Sequence, residues 1–146
     1  MPMSMQEISD RLEIQDLMIR YSYAIDSRNW DALDDVFTPD AFIDYSVFGG
    51  SVGDLPSTKA FLAEAMPMFG ALQHMVSGTT ITIDGDTAAT KTQCHNPMTI
   101  GDGDDPDLMM CGLWYVDKLV RTPDGWRIKE RVEEKVYMRI FPGKQS

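Results

Sequence analysis

Histidine and cysteine are scarce in this chain, two of each among 146 residues. Cys94 and Cys111 are too few for a disulfide scaffold, and with no Cys-x-x-Cys they form no redox or zinc motif. Both read as small buried hydrophobes. Two histidines without Glu or Cys at ligand spacing leave no metal signature, so neither a metal nor any other cofactor is expected. Basic residues are outnumbered, 13 Lys and Arg against 23 Asp and Glu, for a net charge of −10. That balance does not suit sequence-independent nucleic-acid binding, and no nucleic-acid partner is expected. No run approaches the ~18 consecutive apolar residues of a membrane-spanning helix. The first residues, Met1-Pro-Met-Ser-Met-Gln-Glu7, lack the basic and apolar regions of a signal peptide. No membrane association and a cytoplasmic location are therefore expected. Dinucleotide, P-loop and nucleophile-elbow motifs are absent as well.

What is present suits one domain over residues 1–146, being 43% hydrophobic and 25% charged. Ser4-x-x-Glu7 is a capping box that opens a helix. Ile8, Leu12, Leu17, Met18, Tyr21 and Ile25 then recur at helical spacing. Asp26-Ser27 interrupts the pattern, and Trp30, Leu33 and Phe37 continue it as a second short helix with Trp30 as a packing anchor. Thr38-Pro39-Asp40 ends that helix, because the residue before proline disfavours helical backbone. Alternation of Ala41, Ile43, Tyr45 and Val47 predicts a strand. Ser57 is the expected cap of a third helix, Thr58 to about Phe69. The second half reads as antiparallel sheet: Leu72–Ile83 with a bulge at Gly78, a turn at Asp84-Gly85-Asp86, then Thr87–Ile100, Leu108–Val120 and Trp126–Ile140. Helices followed by a long meander make an α+β domain, and a sheet curling around the long helices makes a cone with an apolar pocket.

The chemistry concentrates at Asp26 and His74, 48 positions apart. Imidazole is the side chain whose ordinary titration lies nearest neutrality, and a carboxylate beside it makes a competent proton acceptor. His74 shares a strand face with Leu72 and Val76 and is expected to point into the core or pocket. Asp26 lies near a helix C-terminus, where the macrodipole disfavours an anion by ~0.3–1 kcal/mol. It needs a compensating partner, His74 or Arg28. Tyr21 lies about 140° around a regular helix from Asp26, so both border one pocket only if the helix ends or bends between them. Tyr45 faces with Ile43 and Val47. His95 shares a face with Lys91 and Gln93, which looks solvent-directed.

Tyr21-x4-Asp26-Ser-Arg-Asn-Trp30-Asp-x-Leu33, Phe37-x2-Asp40-Ala, Ile43-Asp-Tyr45, Gln73-His74 and Asp124-Gly-Trp126-Arg resemble the SnoaL-like branch of the nuclear transport factor 2-like superfamily. Within that branch the chain is similar to scytalone dehydratase, bile acid 7α-dehydratase and hexachlorocyclohexane dehydrochlorinase, from about Glu7 to Met138. The resemblance implies a cystatin-like cone, three N-terminal helices packed on a curved, mostly antiparallel sheet. It also implies that Asp26 and His74 are the family's His–Asp dyad. Tyr21 stands where the bile acid dehydratase has a tyrosine, and Tyr45 matches a tyrosine that polarises substrate through water. Ile25 replaces a tyrosine of scytalone dehydratase, whose second histidine aligns near Thr92, three positions from His95.

Together these imply a cofactor-independent lyase of dehydratase type, acting on a hydrophobic cyclic or polyketide-like molecule. His74, Asp26 and Tyr21 are its expected catalytic groups, and Tyr45 and His95 its expected substrate contacts. Alternatives from the same fold are an isomerase or polyketide cyclase, and a noncatalytic binding or assembly module akin to a dioxygenase small subunit. Apolar residues on the last two strands (Trp114, Tyr115 and Val116; Val136, Met138 and Ile140) exceed what one pocket needs, so a homodimer or homotrimer is expected.

Overall fold

The computed structural model describes residues 2–144. Helix α1 runs Met5–Asp26, with the Ser4 hydroxyl accepting the Glu7 N–H at 3.1 Å. Its buried face is Asp10, Ile14, Leu17, Met18, Tyr21 and Ile25, while Ile8 and Leu12 are exposed. The apolar stripe therefore starts one turn later than periodicity predicts. In its place the first turns bury Asp10, which accepts two bonds from Arg121 at 2.6 and 2.9 Å and one from the Trp126 indole at 3.0 Å. A buried carboxylate is tolerable when paired in this way.

The second helix is a 3-10 turn, Trp30–Asp35, capped by the Asn29 side chain. It stops before Thr38-Pro39, which lies inside strand β1 (Phe37–Asp44). The proline fits there because the ladder to the neighbouring strand is irregular between Phe37 and Phe42, where no N–H is required. Strand β2 is Val52–Gly53. Helix α2 runs Leu55–Ala65, earlier than expected, because Asp54 and not Ser57 is its cap: the Asp54 carboxylate accepts the Ser57 N–H at 2.9 Å. Pro56 then falls in the first turn, where its missing N–H costs nothing.

Strands β3 (Phe69–Leu72), β4 (Met75–Asp84), β5 (Thr87–Ile100), β6 (Asp107–Thr122) and β7 (Gly125–Phe141) complete the chain. The strand expected over Leu72–Ile83 is two strands, broken at Gln73-His74. The bulge at Gly78 is present, as a register shift between Ser77 and Thr80 with Gly78 at φ +56°. The seven-stranded sheet has the order β2-β1-β7-β6-β5-β3, with β4 also on β5. All pairs are antiparallel except β1 with β7.

The sheet curls around α1, whose apolar face forms the core with Phe37, Ile43, Tyr115, Leu119, Trp126 and Ile128. Within this core Arg131 and Asp117 pair side by side across β7 and β6, with two bonds of 2.8 Å and both side chains fully buried. The guanidinium is sandwiched by Tyr115 and Tyr21, 4.0 and 4.2 Å from their ring centres. No helix among the described residues is long and apolar enough to cross a membrane.

Candidate active site

The open end of the cone holds a cavity of about 480 Å³. Its apolar wall comes from Ile25 of α1, Phe61 and Leu62 of α2, Phe69, and Met98, Met109, Leu113 and Met138 of the sheet. Its polar groups are Tyr21, Tyr45, His74, Asn96, Tyr115 and Glu133. Few polar groups in an apolar wall is the usual constitution of a small-molecule site.

Asp26 and His74 meet. The imidazole Nδ1 lies 2.6 Å from Asp26 Oδ1, and the His74 backbone N–H donates to the same carboxylate at 2.9 and 3.2 Å. Helix α1 runs unbroken to Asp26, and the geometric difficulty with Tyr21 lapses because Asp26 does not itself border the cavity. Tyr21 faces the cavity from within the helix, while Asp26 stands behind the imidazole and not on the cavity wall. The backbone break at Gln73-His74 supplies the N–H that offsets the anion at the helix C-terminus. Arg28 does not share that task. Its left-handed backbone, φ +55°, sends its guanidinium to the carbonyls of Phe69 and Gly70.

A carboxylate only accepts hydrogen bonds, so Nδ1 carries a proton, and in the neutral ring Nε2 then keeps a lone pair. The Asn96 amide donates to that lone pair at 2.9 Å, and its own carbonyl oxygen is buried without a partner among the described residues. His74 is thereby held from both sides, with only 7% of its side chain exposed.

Tyr21 and Tyr45 share a hydroxyl–hydroxyl bond of 2.6 Å. Burial raises the Tyr21 phenol to about 12 and pushes Tyr45 above its ordinary value too. Both are therefore neutral donors near neutral pH. Glu133 presents a carboxyl to the same cavity. Burial pushes it up to about 8; Arg131 pulls the other way, and Asp44 and Asp117 add to the rise. Cys94 and Cys111 are free, buried thiols, both raised by burial.

His95 is a correction. It lies on the opposite face of β5, exposed, with its ring edge-on to Tyr137 and no part in the cavity wall. Strand alternation puts Cys94, Asn96 and Met98 inward, so parity alone sends His95 out. The same parity identifies Asn96, which the sequence reading passed over. Glu133 was harder to see. Register shifts at Lys118/Leu119 and Gly112/Leu113 flip the inward parity of β7 twice, from Trp126 and Ile128 to Arg131 and Glu133, then to Met138. Met138 and Tyr115 thus line the cavity, although the sequence suggested them for an outer apolar face.

Comparison with known proteins places the chain by family and fold. An uncharacterised protein of Mycobacterium tuberculosis strain H37Rv is 49% identical over 139 residues, covering 95% of this chain and 94% of the relative. The crystal structure of Kfla4162 from Kribbella flavida superposes with a TM-score of 0.83 at 29% identity, over 91% of this chain and 95% of that one. A type 2 hexachlorocyclohexane dehydrochlorinase, LinA, has a TM-score of 0.81 at 17% identity, over 96% and 94% of the two chains, a likeness of fold. A nuclear transport factor 2-like superfamily protein of Salmonella enterica shares the fold, with a TM-score of 0.76 at 16% identity over 88% and 92% of the two chains. A family model described as SnoaL-like domain matches residues 6–132, and the chain belongs to that SnoaL-like family.

Proposed function

We propose that the protein is a cofactor-independent lyase of dehydratase type, acting on a hydrophobic cyclic or polyketide-like small molecule. The observation that carries this reading is the His74 ring at the cavity wall, held between Asp26 and Asn96. Its Nδ1–H is bound to Asp26 and its Nε2 lone pair is directed to a polar group on the cavity side. Nε2 takes an acidic C–H proton, one α to a carbonyl, as Asn96 yields its place to the substrate. Asp26 holds the tautomer and stabilises the imidazolium that forms. The Tyr21–Tyr45 pair donates to the carbonyl oxygen as negative charge develops there. The electron pair left on carbon then expels the leaving group and forms the alkene. Acid–base help of this kind is worth about 10²–10⁴-fold, and positioning by the cavity supplies the remainder.

A fold neighbour named as a dehydrochlorinase carries out an elimination, which supports the reaction type. An isomerase or cyclase would use the same base without losing a group. Product mass separates the two: loss of one water supports the lyase, and an unchanged mass reassigns it. Purified protein is offered hydrophobic cyclic hydroxyketones, with His74→Ala as control. Near-wild-type turnover in that variant would sink the mechanism.

A further inference from the structure

The proposed reaction leaves the cavity's carboxyl group unused. Expelling a hydroxyl as hydroxide is slow, because hydroxide is the conjugate base of an acid as weak as water. Halide needs no such help. An elimination site built for an oxygen leaving group therefore needs an acid opposite its base. We propose that Glu133 is that acid: it donates its carboxyl proton to a departing hydroxyl, and the substrate class is a β-hydroxy cyclic ketone and not a halide. This rests on the lyase reading above.

Glu133 sits on β7 opposite Tyr115 of β6 and lines the same cavity as His74. No hydrogen bond or ion pair among the described residues fixes its carboxyl as an anion. Arg131, two residues before it on the same inward face, gives Nε and Nη2 to Asp117 at 2.8 Å each; its Nη1 is buried without a partner among the described residues and bonds no Glu133 oxygen. The charged and titratable groups around Glu133 are Arg131 and Lys135 on its own strand, Cys111, Tyr115 and Asp117 on β6, Cys94 on β5, Asp44 of β1, Tyr45 beyond it, and Tyr21 on α1. Lys135 leans over the Phe48 ring and forms no ion pair with Glu133. Burial is the main force against a charge on Glu133; Arg131 opposes it, Asp44 and Asp117 add to it, and the balance favours the neutral acid near neutral pH. The two tyrosines are poorer proton donors, since burial pushes both phenols up.

The step balances. The α C–H proton goes to His74 Nε2, and its electron pair becomes the carbon–carbon double bond. The C–O bond breaks with its pair on oxygen, and the Glu133 proton completes a water molecule. Imidazolium and carboxylate remain, and one proton passed from His74 to Glu133 through solvent restores both.

The test uses a matched pair of probes, 3-hydroxy-5-phenylcyclohexanone and 3-chloro-5-phenylcyclohexanone, which differ only in whether the leaving group needs a proton. The wild type should eliminate from both above background. Glu133→Gln, which copies the shape of the neutral acid, should lose about 10²–10⁴-fold on the hydroxy probe and stay within about threefold on the chloro probe. His74→Ala should lose both. Equal loss on both probes in Glu133→Gln, or no loss, overturns the proposal while leaving the lyase reading intact. Full activity of His74→Ala overturns the lyase reading itself. A wild type inert on both probes overturns the assigned substrate class. Infrared difference spectra of wild type against Glu133→Gln at pH 7 supply an arm independent of turnover. A protonated carboxyl band supports the acid, and a carboxylate band alone overturns it.

Discussion

Asp26 binds His74 twice, once at the ring and once at the backbone, so the two positions respond differently to substitution. His74→Ala removes the ring and keeps the backbone N–H on Asp26, so thermal unfolding should stay near wild type while turnover is lost. Asp26→Asn replaces two acceptor oxygens by one and sets an amide donor against either the ring or the backbone N–H. It should lower turnover by about 10²–10⁴-fold through a misoriented ring. It should also destabilise the fold by about 1–3 kcal/mol through a buried unpaired donor, read by denaturant titration. Tyr45→Phe leaves the Tyr21 hydroxyl in place and should cost only about 0.5–1.5 kcal/mol of transition-state binding in kcat/KM. The juxtaposition of Asp26 and His74 was legible in the chain only through family resemblance, since nothing local links residues 48 apart. Strand parity along β5 already gave His95 a solvent-directed face, which the family resemblance overrode, and the same parity followed one residue further reaches Asn96.

Among the elements, α1 is fastened to the β6–β7 hairpin by a polar clamp. Asp10 takes Arg121 and the Trp126 indole, and Glu13 accepts the Trp126 backbone N–H at 2.9 Å. Asp10→Ala leaves the buried indole N–H without its acceptor and should lower stability by about 2–3 kcal/mol. The Arg121 guanidinium holds the Asp10 carboxyl well below its ordinary value of 3.8, against burial and with help from Trp126. A depressed carboxylate contributes stability above about pH 4 and loses it as pH falls through its folded value. Asp10→Asn should therefore flatten the acid limb of the stability curve, measured by urea unfolding from pH 5 downward. Element type was well read: both long hairpins and the span of β5 emerged from alternation and turn chemistry. Helix edges were not, because Asp54 and Ser57 are both competent caps and only the placement of Pro56 decides between them. The parity of β7 was hidden by its two register shifts, which no residue pattern announces.

For the molecule as a whole, Glu133 sets the shape of the pH–stability curve on the neutral side. Its carboxyl rises from an ordinary 4.5 to about 8 on folding. The folded chain therefore binds more protons than the unfolded chain between those values, and stability falls as pH rises through that window. Glu133→Gln should remove this decline, so that variant and wild type diverge most near pH 8 in thermal denaturation. Val136, Tyr137, Ile140 and Phe141 remain exposed along β7. Burying them against a second copy should give a dimer or trimer by light scattering at micromolar protein, and a monomer there would count against it.

The broken strand at Gln73-His74 has a further reach. Because the Asp26 carboxylate closes that gap in the sheet, the Asp26–His74 pair is a joint of the scaffold in its own right. Descendants of this chain with no use for the proposed chemistry are free to exchange the imidazole. They are not free to exchange the aspartate unless another acceptor mends the gap. A solitary aspartate facing a backbone amide, with its histidine gone, would be the mark such a lineage leaves behind.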